Sequence, residues 1–341
     1  MRAAVLREYE RPLEFEDRAE PELERPDQVL VKVAGAGVCA TDLHAMEGLM
    51  EPAGVTLPRV LGHENAGYVE AAGDLVSTVS EGDAVLVYPP YSCGLCVPCR
   101  RDRDMHCVRH EFTGLSVDGG FAEYVRVSER SLVKLADGVN PVAVAPHADA
   151  GITAYHAVKR IAPLALPGST AVVIGTGGVG HIALQLLREL GQCAVIAADT
   201  DERRRRLASE LGADEVLEGG DALADQVREA TDGRGADVVL DFVGTDATHA
   251  AGIDMLVFRG GTYSIVGYGG IVSAPSGALV GQEKAVVANL VGSWTDLWEL
   301  MQLHNTGRIE LRTETHPLDA VNEVLAKLRD GEVTGRAVLT P

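Results

Sequence analysis

"STAVVIGTGGVGHIALQLLREL", residues 169 to 190, is an apolar run, a glycine turn and then a helical pattern. Gly175, Gly177 and Gly180 give the spacing G-x-G-x-x-G. That motif is weak alone, but here it follows a buried strand and opens a helix, which is the context that gives it meaning. The glycines allow a tight turn and let backbone amides close on a pyrophosphate, while the helix N-terminus faces the negative charge. The next strand, in "VIAAD", ends at Asp199, at about the 20-residue separation the arrangement needs. A carboxylate there accepts hydrogen bonds from both ribose hydroxyls and repels a 2′-phosphate, which favours NAD over NADP. The run Arg203 to Arg206 is the opposing signal, since arginines hold phosphate; its other reading is a solvated first helical turn. Gly178, Val179, Arg204, and Val243 and Val266 after two later strands complete the expected cofactor set.

Outward from this turn the pattern continues. "CAVIAADTDERRRRLASELGADEVL" is strand then helix, and "GADVVLDFVG" and "GGTYSIVGYGG" are two more buried strands. Strands alternating with helices predict a doubly wound parallel sheet over residues 151–285. Residues 1–150 read differently. "DQVLVKVAGAGV", "NAGYVEAAG" and "GDAVLVYPP" are short apolar runs punctuated by Gly, Pro and Asp, the pattern of β-strands joined by turns. Residues 286–341 are helical and then strand-like, and are expected to return to the first domain. The fold class is therefore α/β with a second, β-rich domain.

Acidic residues outnumber basic ones by 50 to 30, a formal net charge of -20, which repels nucleic acid and anionic membrane. The N-terminal "MRAAVLREYERPLEFED" lacks the apolar core of a signal peptide. The longest weakly charged stretch, Ser169 to Leu187, contains the glycine turn and a histidine, so it reads poorly as a membrane helix. A soluble, cytoplasmic protein is expected. In a reducing compartment, clustered cysteines are more often metal ligands than disulfides.

"YSCGLCVPCRRDRDMHC" holds such a cluster, Cys93, Cys96, Cys99 and Cys107. The spacing C-x2-C-x2-C-x7-C lets one loop wrap a tetrahedral zinc, and four thiolates leave no open position for chemistry. An iron–sulfur cluster or a C-x-x-C redox pair is the weaker reading. Cys39, His63 and Asp149 are scattered candidates. Taken singly they are a small buried residue, a structural histidine and a helix cap.

"GVCATDLH", "LGHENAGYV", the four-cysteine loop, "GGFAEYV", "DAGITAYHA", "GTGGVG" and "GRAVL" occur in one order along nearly the whole chain. The sequence resembles the zinc-dependent medium-chain alcohol dehydrogenases, and within them the bacterial NAD-dependent secondary-alcohol dehydrogenases. The resemblance implies a GroES-like catalytic domain with a Rossmann domain, a homodimer or homotetramer, and two zinc ions per chain. It implies Cys39 and His63 as ligands of a catalytic zinc, with Asp149 where many members carry a cysteine; His147 is the competing ligand. Thiolate and carboxylate bring the same charge, and three protein ligands leave a fourth position open. The implied chemistry is reversible oxidation of an alcohol, the metal lowering the hydroxyl pKa and NAD taking the hydride.

By the same resemblance Thr41 passes the alcohol proton on, His44 finishes the relay, and Asp42 orients the ligand histidine. Glu64 stands beside the zinc. Ala40 replaces a basic residue that often contacts the cofactor phosphate, leaving that contact to backbone amides and Arg336. Trp294 is a candidate wall of the substrate pocket, with ordinary packing as its other reading. The alternatives are a polyol, threonine or formaldehyde dehydrogenase of the same family, a non-catalytic zinc-ribbon binding protein, and a zinc-free quinone reductase relative.

Overall fold

The computed structural model describes residues 1–341, which divide into two compact units, Met1–Ile152 with Ser293–Pro341, and Thr153–Gly292. No helix is long and apolar enough to cross a membrane.

The Thr153–Gly292 unit is built on six parallel strands. Their order is Glu215–Glu218, Ala194–Asp199, Thr170–Ile174, Val238–Asp241, Thr262–Ile265 and Ala285–Ala288. Thr170–Ile174 and Val238–Asp241 are buried at every position, as strands covered on both faces must be. Val172, Ile174, Val239 and Tyr263 pack against Leu223, Val227 and Met255 on one side. The strand order reverses between Thr170–Ile174 and Val238–Asp241, which opens a crevice at their carboxyl ends. The chain leaves this sheet later than residue 286, because Ala285–Ala288 pairs with Thr262–Ile265 as the sixth strand; the return comes at Ser293.

In the other unit the Gln28–Gly37 strand is central. It pairs antiparallel with Glu64–Ala72, Tyr124–Ser128 and Arg336–Thr340. The register sets Gly37 opposite Glu64 and Val338 opposite Gly37. Cys39 lies two residues beyond the end of one strand and His63 one residue before the start of its neighbour, so pairing alone brings them to the same end of the sheet. The turn Ala145–Ala148 packs on both strands and delivers Asp149 there. Three distant segments of chain thus converge through strand pairing and one packed turn.

Candidate functional site

Cys39 precedes the helix Ala40–Met46, and Asp42 closes a capping box on it. The Asp42 Oδ2 accepts the Cys39 backbone N–H at 2.9 Å, and its Oδ1 faces His63 Nδ1 at 3.4 Å. One buried carboxylate therefore fixes both the helix start and the ring of His63. That leaves Nε2 to point the other way, 3.4 Å from Asp149 Oδ2. The same Asp149 oxygen lies 3.6 Å from Cys39 Sγ. Glu64 joins them, and the ligand atoms of all four residues lie within 4.8 Å of one another.

These separations test whether a metal fits. The nitrogen–oxygen distance exceeds an ordinary hydrogen bond. Around a tetrahedral zinc, with bonds of about 2.0–2.1 Å to N and O and 2.3 Å to S, neighbouring ligands stand about 3.3 Å apart for N and O and about 3.6 Å for S and O. Those are the spacings found. Glu64 Oε2 is buried without a hydrogen-bond partner, so ordinary polar packing does not account for the pocket. Its electrostatics agree. Burial works against charge on His63, yet Asp42, Asp149 and Cys39 outweigh it and hold its pKa well above the usual imidazole value. Asp149 is held low in spite of its burial, by His63 and Arg336. The anions draw positive charge to this point, and a divalent ion answers the same field.

Arg336 opens the last strand, is buried, and ion-pairs through Nη2 with Glu64 Oε1. The same oxygen accepts the Ala150 N–H at 3.2 Å. Burial pushes the Glu64 carboxyl up against the pull of Arg336. Arg336 Nε has no protein partner, which leaves a donor over. His147 does not join the cluster: its Nε2 turns to His304 Nδ1 at 3.2 Å. Thr41 and His44 are both half-buried and stand three residues apart on the helix that Cys39 begins, hence on one face.

The four loop cysteines are free thiols and their sulfurs lie within 4.8 Å of one another. Cys96 Sγ is 3.3 Å from Cys99 Sγ and 4.0 Å from Cys107 Sγ, bracketing the about 3.8 Å of a tetrahedral zinc thiolate site. Backbone N–H groups of Cys93 and Arg109 donate to Cys107 Sγ at 3.3 and 3.4 Å. Amides of Leu95 and Cys96 hold the Cys93 thiol down to about 6, while burial and neighbouring thiols push Cys99 up to about 12. The loop is braced by residues the sequence did not single out. Arg130 donates from Nε to the Ser92 carbonyl at 3.0 Å, and Asp104 Oδ2 accepts the Trp294 N–H at 3.3 Å. The Trp294 indole donates to the Leu132 carbonyl at 3.0 Å, so this side chain has a packing role in hand.

In the other unit the glycine turn runs from Gly175, at φ 83°, into the helix Gly180–Leu190. A Cβ on Gly180 would sit 1.8 Å from the Gly175 carbonyl oxygen, so no side chain fits. Beside Gly177 the nearest group is the Arg204 guanidinium, 3.7 Å from where a Cβ would be, which leaves the turn open to a ligand. Gly177, Gly178, Val179 and Val266 are partly exposed along it, and Val243 is exposed. Asp199 is buried at its strand end. Its Oδ2 accepts the Thr176 N–H at 2.8 Å and its Oδ1 the Asp201 N–H at 2.9 Å. Along the arginine run, Arg203 pairs with Asp201, Arg206 with Glu202, and Arg205 with the Asp199 and Thr200 carbonyls.

Residues 25–137 match the model of the alcohol dehydrogenase GroES-like domain, and residues 178–306 that of the zinc-binding dehydrogenases. A crystal structure of an alcohol dehydrogenase from the archaeon Aeropyrum pernix superposes with TM-score 0.97 at 44% identity, covering 100% of both chains. A D-arabinose 1-dehydrogenase (NADP(+)) of Saccharolobus solfataricus is 36% identical over 100% of this chain and 97% of its own. An NAD-dependent alcohol dehydrogenase of Sulfolobus acidocaldarius is 35% identical over 99% of each.

Proposed function

The chain belongs to the zinc-dependent medium-chain alcohol dehydrogenase family, and from that premise we propose that it oxidises secondary alcohols reversibly, with NAD as hydride acceptor. The observation that carries the reading is the triangle of Cys39, His63 and Asp149, spaced as ligands of one ion. A zinc held by these three would supply Lewis acidity toward the alcohol oxygen, and NAD would take the hydride. The protein's own work is positioning and proton transfer. Asp42 holds His63 in the Nδ1–H tautomer, so that Nε2 is the ligand atom. Thr41 both accepts and donates, which suits it to take the alcohol proton and hand it to His44. Glu64 and Arg336 keep the far side of the pocket filled and charge-balanced.

We take Asp199, at its strand end and bonded to the Thr176 amide of the glycine turn, to favour NAD over NADP, since its carboxylate would repel a 2′-phosphate. The loop cysteines hold a second, structural zinc. The free thiols suit a cytoplasmic location. We propose a homo-oligomer in which a second copy pairs on the free outer edge of Ala285–Ala288. Val286 is the residue to change, because the amides that pair inward are those of Ala285 and Asn289. Val286→Pro should then give a smaller particle in sedimentation; an unchanged one overturns this interface.

A panel of alcohols and sugars, read by NADH absorbance with zinc analysis, tests the whole. Two zinc ions per chain and turnover of simple secondary alcohols are expected. The relative that acts on D-arabinose favours a second reading, oxidation of a sugar hydroxyl, which the same panel separates.

A further inference from the structure

At the carboxyl end of Val238–Asp241, one buried residue gathers the amides of two loops. The Asp241 Oδ1 accepts the N–H groups of Val243 at 2.8 Å and Gly244 at 3.0 Å. Its main-chain carbonyl accepts those of Val266 and Gly267, both at 2.9 Å. Its Oδ2 accepts the Tyr263 hydroxyl at 2.6 Å, and His249 Nδ1 lies 2.7 Å from that hydroxyl. Tyr263 has one proton and gives it to Asp241, so His249 is the donor in turn, through Nδ1–H. Burial, then the Asp241 hydrogen bond and charge, push the Tyr263 phenol up, which keeps it a neutral donor. All three side chains are buried.

The two loops are locked to each other and to the glycine turn. A Cβ on Gly244 would meet the Gly267 carbonyl carbon at 2.2 Å, and one on Gly175 would meet Val243 Cγ2 at 2.6 Å. The place is the crevice where the strand order reverses, where open parallel sheets take their ligand. Nothing in the alcohol chemistry needs a buried carboxylate, phenol and imidazole here.

We propose that Asp241 is a positioning residue for the dinucleotide, holding the Val243 and Val266 loops in one arrangement through four amides, with Tyr263 and His249 fixing its carboxylate. The inference rests on the reading of the glycine turn as an NAD site. Tyr263→Phe keeps the ring and removes the hydroxyl. Losing that donor loosens the carboxylate, and the binding-competent fraction of the loops falls. Apparent affinity falls with it, so the NADH dissociation constant should rise about fivefold to tenfold. Exchange of the Val243 and Gly244 amides in the ligand-free protein should quicken, while zinc content and turnover at saturating NAD stay within about twofold. A lower melting temperature with unchanged NADH affinity would mean a structural role only and overturns the proposal.

If Tyr263→Phe does not fold, His249→Leu and His249→Gln serve instead. Glutamine restores a donor to the tyrosine and leucine does not, so only leucine should weaken NADH binding. Equal affinity in both and in the parent overturns the proposal. Failure of the parent to bind NADH overturns the cofactor reading itself, and this one with it.

Discussion

Asp149 is the proposed metal ligand whose role a single substitution tests. It is held below the usual carboxylate range by His63 and Arg336 although it is buried, so it meets a metal as an anion. Asp149→Ala removes one of three ligands and leaves the cysteine loop untouched. The variant should lose one of two zinc ions and more than about 100-fold in metal affinity at that site, a larger effect than loss of an outer partner. Zinc analysis and turnover check it; full activity sinks the ligand assignment. Asp199 is the proposed ribose-binding residue. Asp199→Ala should cut the ratio of kcat/KM for NAD over NADP by about tenfold or more, since a lost charge–hydroxyl contact is worth about 1.5–3 kcal/mol. An unchanged ratio counts against its ribose role. The sequence offers these two candidates on different grounds. Asp199 followed from its distance to the glycine turn. Asp149 had no local signal, and only resemblance set it with Cys39 and His63, because strand register lies outside what spacing records. His304, 157 residues from the His147 that it pairs with, was invisible for the same reason.

At the scale of elements, the cysteine loop announces its metal by spacing, but not what holds it in place. Ser92, Asp104 and Arg130 brace it from inside and beside the loop, and the first turn of the Trp294–Asn305 helix receives it. Trp294 was read from sequence as a pocket wall or as packing. Its indole bond to the Leu132 carbonyl supplies the packing, and a wall role would have to be carried by the ring face. The strands of the parallel sheet were legible as continuous apolar runs, because both faces are covered. The two edge strands were not, since Glu215–Glu218 and Ala285–Ala288 are short and none of their residues is fully buried. If the loop is a structural site, Cys96→Ser should release one zinc and lower the melting temperature. It should also speed protease cutting between residues 91 and 109, with the alcohol KM within about twofold. A stable, two-zinc variant would refute the four-thiolate site.

The whole molecule carries 50 acidic and 30 basic side chains, a formal charge of -20. Salt acts on this in two opposite ways. It screens surface ion pairs such as Arg2–Asp319 and Lys327–Glu323, which weakens the fold. Exposed pairs of this kind are worth about 0–1 kcal/mol each, and many contribute nothing. It also screens repulsion among unpaired acids, which strengthens the fold. The excess decides the sign: even with every lysine and arginine paired, 20 acidic groups keep no basic partner. Unfolding spreads that charge over a larger volume, so the compact state bears most of the repulsion. Raising potassium chloride from about 0.05 M to 1 M shrinks the screening length to about 3 Å. The melting temperature should then rise by about 3 °C, the shift that roughly 2 kcal/mol gives when unfolding entropy is about 2.1 cal/mol/K per residue over 341 residues. Calorimetry at one scan rate measures it, with sucrose as the control for a general exclusion effect. A flat or falling melting temperature would show that paired charges, and not the acidic excess, govern this surface.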